Sequence, residues 1–415
     1  MPPDGPAGSG GAMLAITGGT LVGAKGAPRP GTILIGGGRI VAVGAAHEVD
    51  VPAQAQRLDA DGGYIVPGFI DVHVHGAAGA DFMDATPEAI RTVCGFHASG
   101  GTTALLATTA AAPQEELVAV LDAIGAVRAA GTGGAALLGV HLEGPYFAPA
   151  KCGCHLPGEV RPPRAAEYEA LLDRQPGLVR WMTLAPELPG ALELIGALRR
   201  RGATPAAGHT EATEPQLRRA IEAGLRHATH LYCAMSTITK DGPRRIPGLV
   251  ETALVADELS TEVIADGHHV PPTLLKLAAR AKGAAKLLLV TDAMRGAGMP
   301  DGTYTFGPLH GTPAVVSGGV ARTLDNSGYA SSTARMIDLV RNMVQLAGCT
   351  LSEAVQMASY SPALALGLAG RKGTLEPGKD ADVVVLDREL RVRGTVAGGQ
   401  IVFQDPRAVE SLQSS

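Results

Sequence analysis

"PGFIDVHVHG", residues 67–76, ends an apolar run with two histidines standing two apart. The run Ile65–Ile70 reads as a strand interrupted by Pro67-Gly68. Side chains alternate faces along a strand, so His73 and His75 share one face. One imidazole at a strand end is more often a hydrogen-bonded core group than a ligand. A pair on one face directs attention to what else the chain brings there.

Seven further apolar segments follow: GTTALLATT, AALLGVHLEG, LVRWMTLAPE, GATPAAGHT, LRHATHLY, TEVIADGHH and AKLLLVTDA. Helical stretches at 114–129, 191–201, 213–223 and 272–282 lie between them. Eight strands in β-α alternation predict an α/β chain folded as a (β/α)8 barrel over 67–371. The continuously apolar strands fit a parallel sheet covered on both faces. Outside the barrel, 13–66 and 372–415 hold short β-like runs broken by glycines, which predicts one small β-sandwich domain built from both chain ends. Residues 1–12 read as a disordered tail, with Met13 a candidate start.

Composition sets the bounds. The 415 residues are 46% hydrophobic and 18% charged, enough for a large core. A formal net charge of -5 gives no reason to expect a nucleic acid or anionic membrane partner. Five scattered cysteines point to a reducing compartment without a disulfide framework. No apolar stretch approaches the ~20 residues of a membrane helix. A cytoplasmic protein is the expectation.

In a barrel of this kind the carboxyl-terminal strand ends share one mouth, where active sites sit. Strand one brings His73 and His75, strand three Glu143, strand five His209, strand six His230 and strand eight Asp292. Six such residues at one mouth are far less expected by chance than any one of them. Nitrogen and carboxylate donors without cysteine suit Zn²⁺ above all, with Fe²⁺, Mn²⁺ or Co²⁺ as alternatives. His141 and His227 read as structural or outlying, and His47, His97 and His310 as background.

The segments PGFIDVHVHG, HLEGPYF, AGHT, THLYCAM, ADGHHV and LVTDA together resemble the N-acetylglucosamine-6-phosphate deacetylase family of the amidohydrolase superfamily. The resemblance spans nearly the whole chain. It implies a principal metal on Glu143, His209 and His230. It implies a second ion at His73 and His75 where that pair is kept, with Glu143 and Asp292 able to contribute. Asp292 matches the acid/base, and His155 and His269 match substrate contacts. Cys154, Cys233, Ala234, Tyr329, Ala330, Ser331 and Ser332 fall on substrate-binding positions. Arg245 matches a phosphate-binding arginine that reaches in from a neighbouring subunit, which implies a homodimer.

The chain departs from the family in its sugar-phosphate positions. An asparagine is replaced by Cys233, T-H-N-P becomes Cys154-His155-Leu156-Pro157, and the loop STITKDGPRRIPG is longer. The chemistry implied is hydrolysis of N-acetylglucosamine 6-phosphate to acetate and glucosamine 6-phosphate. Two other classes stay open: a deacetylase of N-acetylgalactosamine 6-phosphate or another N-acyl sugar or amino acid, and a non-catalytic assembly protein on the same scaffold.

Overall fold

A computed structural model of the chain describes residues 13–24 and 26–406. The expected tail 1–12 and the last residues of the 372–415 segment lie outside the described residues. Eight parallel strands form one sheet: β1 (Phe69–Val74), β2 (Thr102–Thr108), β3 (Ala136–Glu143), β4 (Val179–Leu184), β5 (Thr204–Ala207), β6 (His227–Ala228), β7 (Ser260–Val263) and β8 (Leu287–Leu289). Each pairs with its neighbour in chain order. All eight coincide with segments expected from the sequence.

The connecting helices include α1 (Pro87–Ala98), α2 (Gln114–Ala130), α3 (Ala165–Arg174), α4 (Ala191–Arg200), α5 (Glu214–Ala223), α6 (Leu249–Val255) and α7 (Pro272–Lys282). The starts of α1 and α5 follow the capping rules. Thr86 accepts from the Ala89 N–H ahead of Pro87, and Thr213 forms a capping box with Gln216. Alternation along β2 sends Leu105 and Ala107 against Leu117, Leu121 and Ile124 of α2, while Ala104 and Leu106 join Val72, Trp181 and Leu288 inside the barrel. Helix contacts on one face and an inner plug on the other explain why the strands carry no exposed face.

The barrel closes just beyond the ends of β1 and β8. Asp292 N–H donates to His73 O at 2.9 Å, and His75 N–H to Ala293 O at 2.9 Å. Buried Asp71 adds to the seam, accepting from Thr291 Oγ1 at 2.6 Å. Burial pushes its carboxyl up to about 7, against the hydrogen bonds from Thr291 and His73.

Both chain ends meet in a second, largely antiparallel sheet of eight strands, with Tyr64–Pro67 pairing Val383–Leu386 across the two segments. Ile16, Ile33 and Ile65 from one end pack with Val383, Val385 and Val396 from the other. Two insertions stand out: the first is the loop read as longer from the sequence, and the second was not anticipated. A hairpin, Thr239–Asp241 with Arg244–Ile246, follows β6, and a three-stranded sheet, Gly302–Phe306, Thr312–Ser317 and Val320–Thr323, follows β8.

Candidate metal centre and active site

The six residues expected at the mouth converge. Glu143 Oε1 lies 3.3 Å from His209 Nε2, 3.2 Å from His230 Nε2 and 3.3 Å from His73 Nε2. Glu143 Oε2 lies 3.2 Å from His75 Nε2. Asp292 Oδ1 is 3.4 Å from His73 Nε2 and 3.2 Å from His75 Nε2. A fifth imidazole joins them, with His155 Nε2 at 3.2 Å from Glu143 Oε2.

Local backbone geometry aims these groups. His209, His230 and Asp292 adopt φ of 49°, 26° and 46°. Non-glycine residues in this region cost on the order of 1–3 kcal/mol each and persist where the surroundings over-determine them. Close packing ahead of His209 requires glycine: a Cβ on Gly208 would meet Thr183 Cγ2 at 2.8 Å.

Hydrogen bonds on the far side of His209, His73 and His155 assign their protons. His209 Nδ1 donates to Lys151 O at 2.7 Å, leaving Nε2 as a lone pair toward Glu143. Burial pulls this imidazole down to about 4, against the charge of Glu143, so it is neutral at pH 7. His73 Nδ1 donates to Glu262 Oε2 at 3.0 Å, which likewise turns its Nε2 toward the cluster. His155 is different: its Nδ1 accepts the Ala111 N–H at 3.1 Å, so the proton is on Nε2. With Nε2 protonated, that ring faces the site as a donor.

The donor set fits a cation. Burying a carboxylate costs several kcal/mol unless positive charge compensates it, and Glu143 and Asp292 are both buried beside the same imidazole nitrogens. Burial opposes ionisation of Asp292, but the charge of His73 and the hydrogen bond from His75 hold it at about 2. Burial opposes protonation of His75, yet Asp292 and Glu143 hold it at about 9. The carboxylates therefore draw positive charge to the centre of the cluster. Divalent ions on the Nε2 atoms would supply it. Among the described residues, His73, His75 and Asp292 present ligand atoms within one ion's reach.

The expected structural role of His141 holds. Nδ1 donates to Val72 O and Nε2 accepts from Thr183 Oγ1, so both ring nitrogens are engaged.

A cavity of about 380 Å³ opens onto this cluster. Its wall includes His155, His209, His230, Asp292 and His269, whose Nδ1 is bonded to Asp266 at 2.7 Å. Cys154, Cys233, Ala234, Tyr329 and Ser331 also line it. Burial raises both thiols, Cys233 to about 12, so they are neutral lining. Ser331 Oγ donates to Asp292 Oδ1 at 3.1 Å. Ala330 and Ser332 lie buried behind the wall, where Ser332 Oγ donates to Thr291 O. Arg245 is exposed on the inserted hairpin, bonded to Pro243 O, and is not part of this wall.

Three contributors escaped the sequence reading. Glu262 carries no mouth signal because it sits within β7. Phe306, on the cavity wall, comes from the inserted sheet. Lys151 contributes a carbonyl, which no side-chain pattern encodes.

A (β/α)8 barrel whose mouth gathers imidazoles and two carboxylates around a cavity defines a hydrolase scaffold of the metal-assisted kind. The chain belongs to the amidohydrolase family, whose sequence profile matches residues 64–402. It is 39% identical over 351 residues to an N-acetylgalactosamine-6-phosphate deacetylase of Escherichia coli O157:H7, covering 85% of this chain and 90% of that protein. It is 36% identical over 376 residues to an N-acetylglucosamine-6-phosphate deacetylase of Bacillus subtilis strain 168, covering 90% and 93%. A solved variant of the Mycobacterium smegmatis N-acetyl-D-glucosamine-6-phosphate deacetylase, in complex with N-acetyl-D-glucosamine-6-phosphate, superposes with a TM-score of 0.87 at 37% identity. That match covers 95% of this chain and 100% of that one.

Proposed function

We propose that the protein hydrolyses the N-acetyl group of N-acetylglucosamine 6-phosphate, giving glucosamine 6-phosphate and acetate. The observation that carries this reading is the placement of Asp292 and His155 on one cavity wall, with Asp292 Oδ1 3.2 Å from His75 Nε2 and His155 Nε2 3.2 Å from Glu143 Oε2. The relatives named above support the substrate class.

Glu143, His209 and His230 would hold one divalent ion, and His73 with His75 a second. Zinc suits these donors best. Such an ion, when bound, polarises an amide carbonyl and lowers the pKa of water from 15.7 to about 7. Asp292 is ionised, so its Oδ1 accepts the proton of the attacking water and returns it to the departing nitrogen. Ser331 orients that carboxylate. His155 donates Nε2–H to the carbonyl oxygen or a sugar hydroxyl. His269, Tyr329, Cys154, Cys233 and Ala234 shape the sugar pocket. Ala330 and Ser332 set the backbone behind Ser331.

Arg245 of a second copy would grip the phosphate, since a guanidinium matches phosphate oxygens with a planar fork of donors. A homodimer follows from that reading, and the protein would work in the cytoplasm. Among the described residues no helix is long and apolar enough to cross a membrane.

Hydrolysis of N-acetylgalactosamine 6-phosphate is the second reading, favoured by the similarity to the Escherichia coli protein and by Cys233 on the cavity wall. Acetate release from both sugars, each with and without the phosphate, tests the assignment. No release from any of the four overturns it.

A further inference from the structure

Glu262 is fully buried within β7, and its carboxylate has three donors around it. Oε2 accepts from His73 Nδ1 at 3.0 Å and from the His230 backbone N–H at 3.1 Å. Oε1 accepts from His227 Nε2 at 3.1 Å. His227 is itself anchored on Ser260 Oγ at 2.7 Å. A buried carboxylate that satisfied only packing would be costly; this one is matched donor for donor.

The two bonds to Oε2 reach different parts of the cluster. One fixes the proton of His73 on Nδ1, so that Nε2 faces Glu143 and Asp292. The other holds the peptide N–H of His230, a residue with left-handed backbone at φ 26°. A carboxylate behind a ligating imidazole fixes its tautomer, orients the ring and raises its basicity.

We propose that Glu262 is the positioning residue that makes His73 a metal ligand, and that it ties this position to the backbone of His230. The proposal rests on the hydrolase reading above. It adds a residue that touches neither the cavity nor the reacting atoms.

In Glu262→Gln the amide can turn its NH₂ toward His227, which can shift its proton to Nδ1 and accept. The oxygen can then still receive His73 and His230. Shape and fold are kept, and the negative charge behind His73 is lost.

Zinc titration by equilibrium dialysis reads the outcome. Affinity for the equivalent that includes His73 falls about 10–100-fold in Glu262→Gln, as removal of such outer partners does. The same substitution made on top of His73→Gln has no further effect. Long-range ¹⁵N NMR of the metal-free wild type places the His73 proton on Nδ1, and in the variant that preference is reduced. Should Glu262→Gln fail to fold, Glu262→Asp, which retracts the carboxylate, is read the same way.

Wild-type affinity in the variant, or an additive effect in the double variant, overturns the proposal. So does a His73 Nδ1 that carries no proton. None of these touches the deacetylase reading, which fails separately if the wild type releases no acetate from any of the four sugars.

Discussion

Ala111 N–H donates to His155 Nδ1 at 3.1 Å, and this one bond gives His155 the opposite tautomer to its neighbour His209. With Nδ1 accepting, Nε2 keeps its proton and points into the cavity. His209 is the converse, its Nδ1–H spent on Lys151 O and its Nε2 lone pair free. Two neighbouring imidazoles, with ring centroids 4.9 Å apart, thus have opposite roles.

His155→Ala is therefore expected to keep the metal and lose rate. Loss of one preorganised donor costs about 10²–10³ in kcat. Metal analysis beside steady-state kinetics checks both halves. A variant that loses metal in proportion to activity would make His155 a ligand.

Asp292→Asn should lower kcat by about 10²–10⁴, as removal of a general acid–base does. KM should change little, because Asp292 acts on the transferred proton and its amide variant keeps the shape of the wall. Near-normal turnover would exclude Asp292 as the proton carrier.

His209→Asn should lose both tightly bound metal and turnover after chelation and repletion with zinc. The double variant His73→Gln, His75→Asn should bind one ion fewer per chain than the wild type. Inductively coupled plasma analysis after dialysis gives the ratios. An unchanged ratio in the double variant would leave these two rings only orienting roles.

Arg245→Ala should abolish the rate advantage of the 6-phosphorylated sugar while leaving the unphosphorylated one untouched. Its place on an exposed hairpin, away from its own chain's cavity wall, makes the effect depend on a second copy. Mixing Arg245→Ala with Asp292→Asn protomers should restore part of the lost kcat/KM. No restoration would place the arginine's action within one chain.

Much of the fold was legible because its signals are local. Each barrel strand is a short apolar run bounded by turn residues, and α1 and α5 begin at threonine caps. β-α alternation over eight units then leaves few topologies. The mouth was legible for the same reason: His73, His75, Glu143, His209, His230 and Asp292 all stand at or just after strand ends. Period two was enough to pair His73 with His75.

What the sequence by itself determined was which side chains reach the mouth; what only the tertiary structure decided was the proton on His73, His155 and His209. Glu262 and His73 are 189 residues apart, and Ala111 and His155 are 44 apart. Local pattern is blind to such pairs, because they exist only once the parallel strands are in register and the seam at Asp71 and Thr291 is closed. The insertion that carries Phe306 to the cavity is equally non-local, since its strands pair with one another and meet the barrel only by packing. An imidazole's role depends on the partner of its far nitrogen, and only the closed barrel provides that partner.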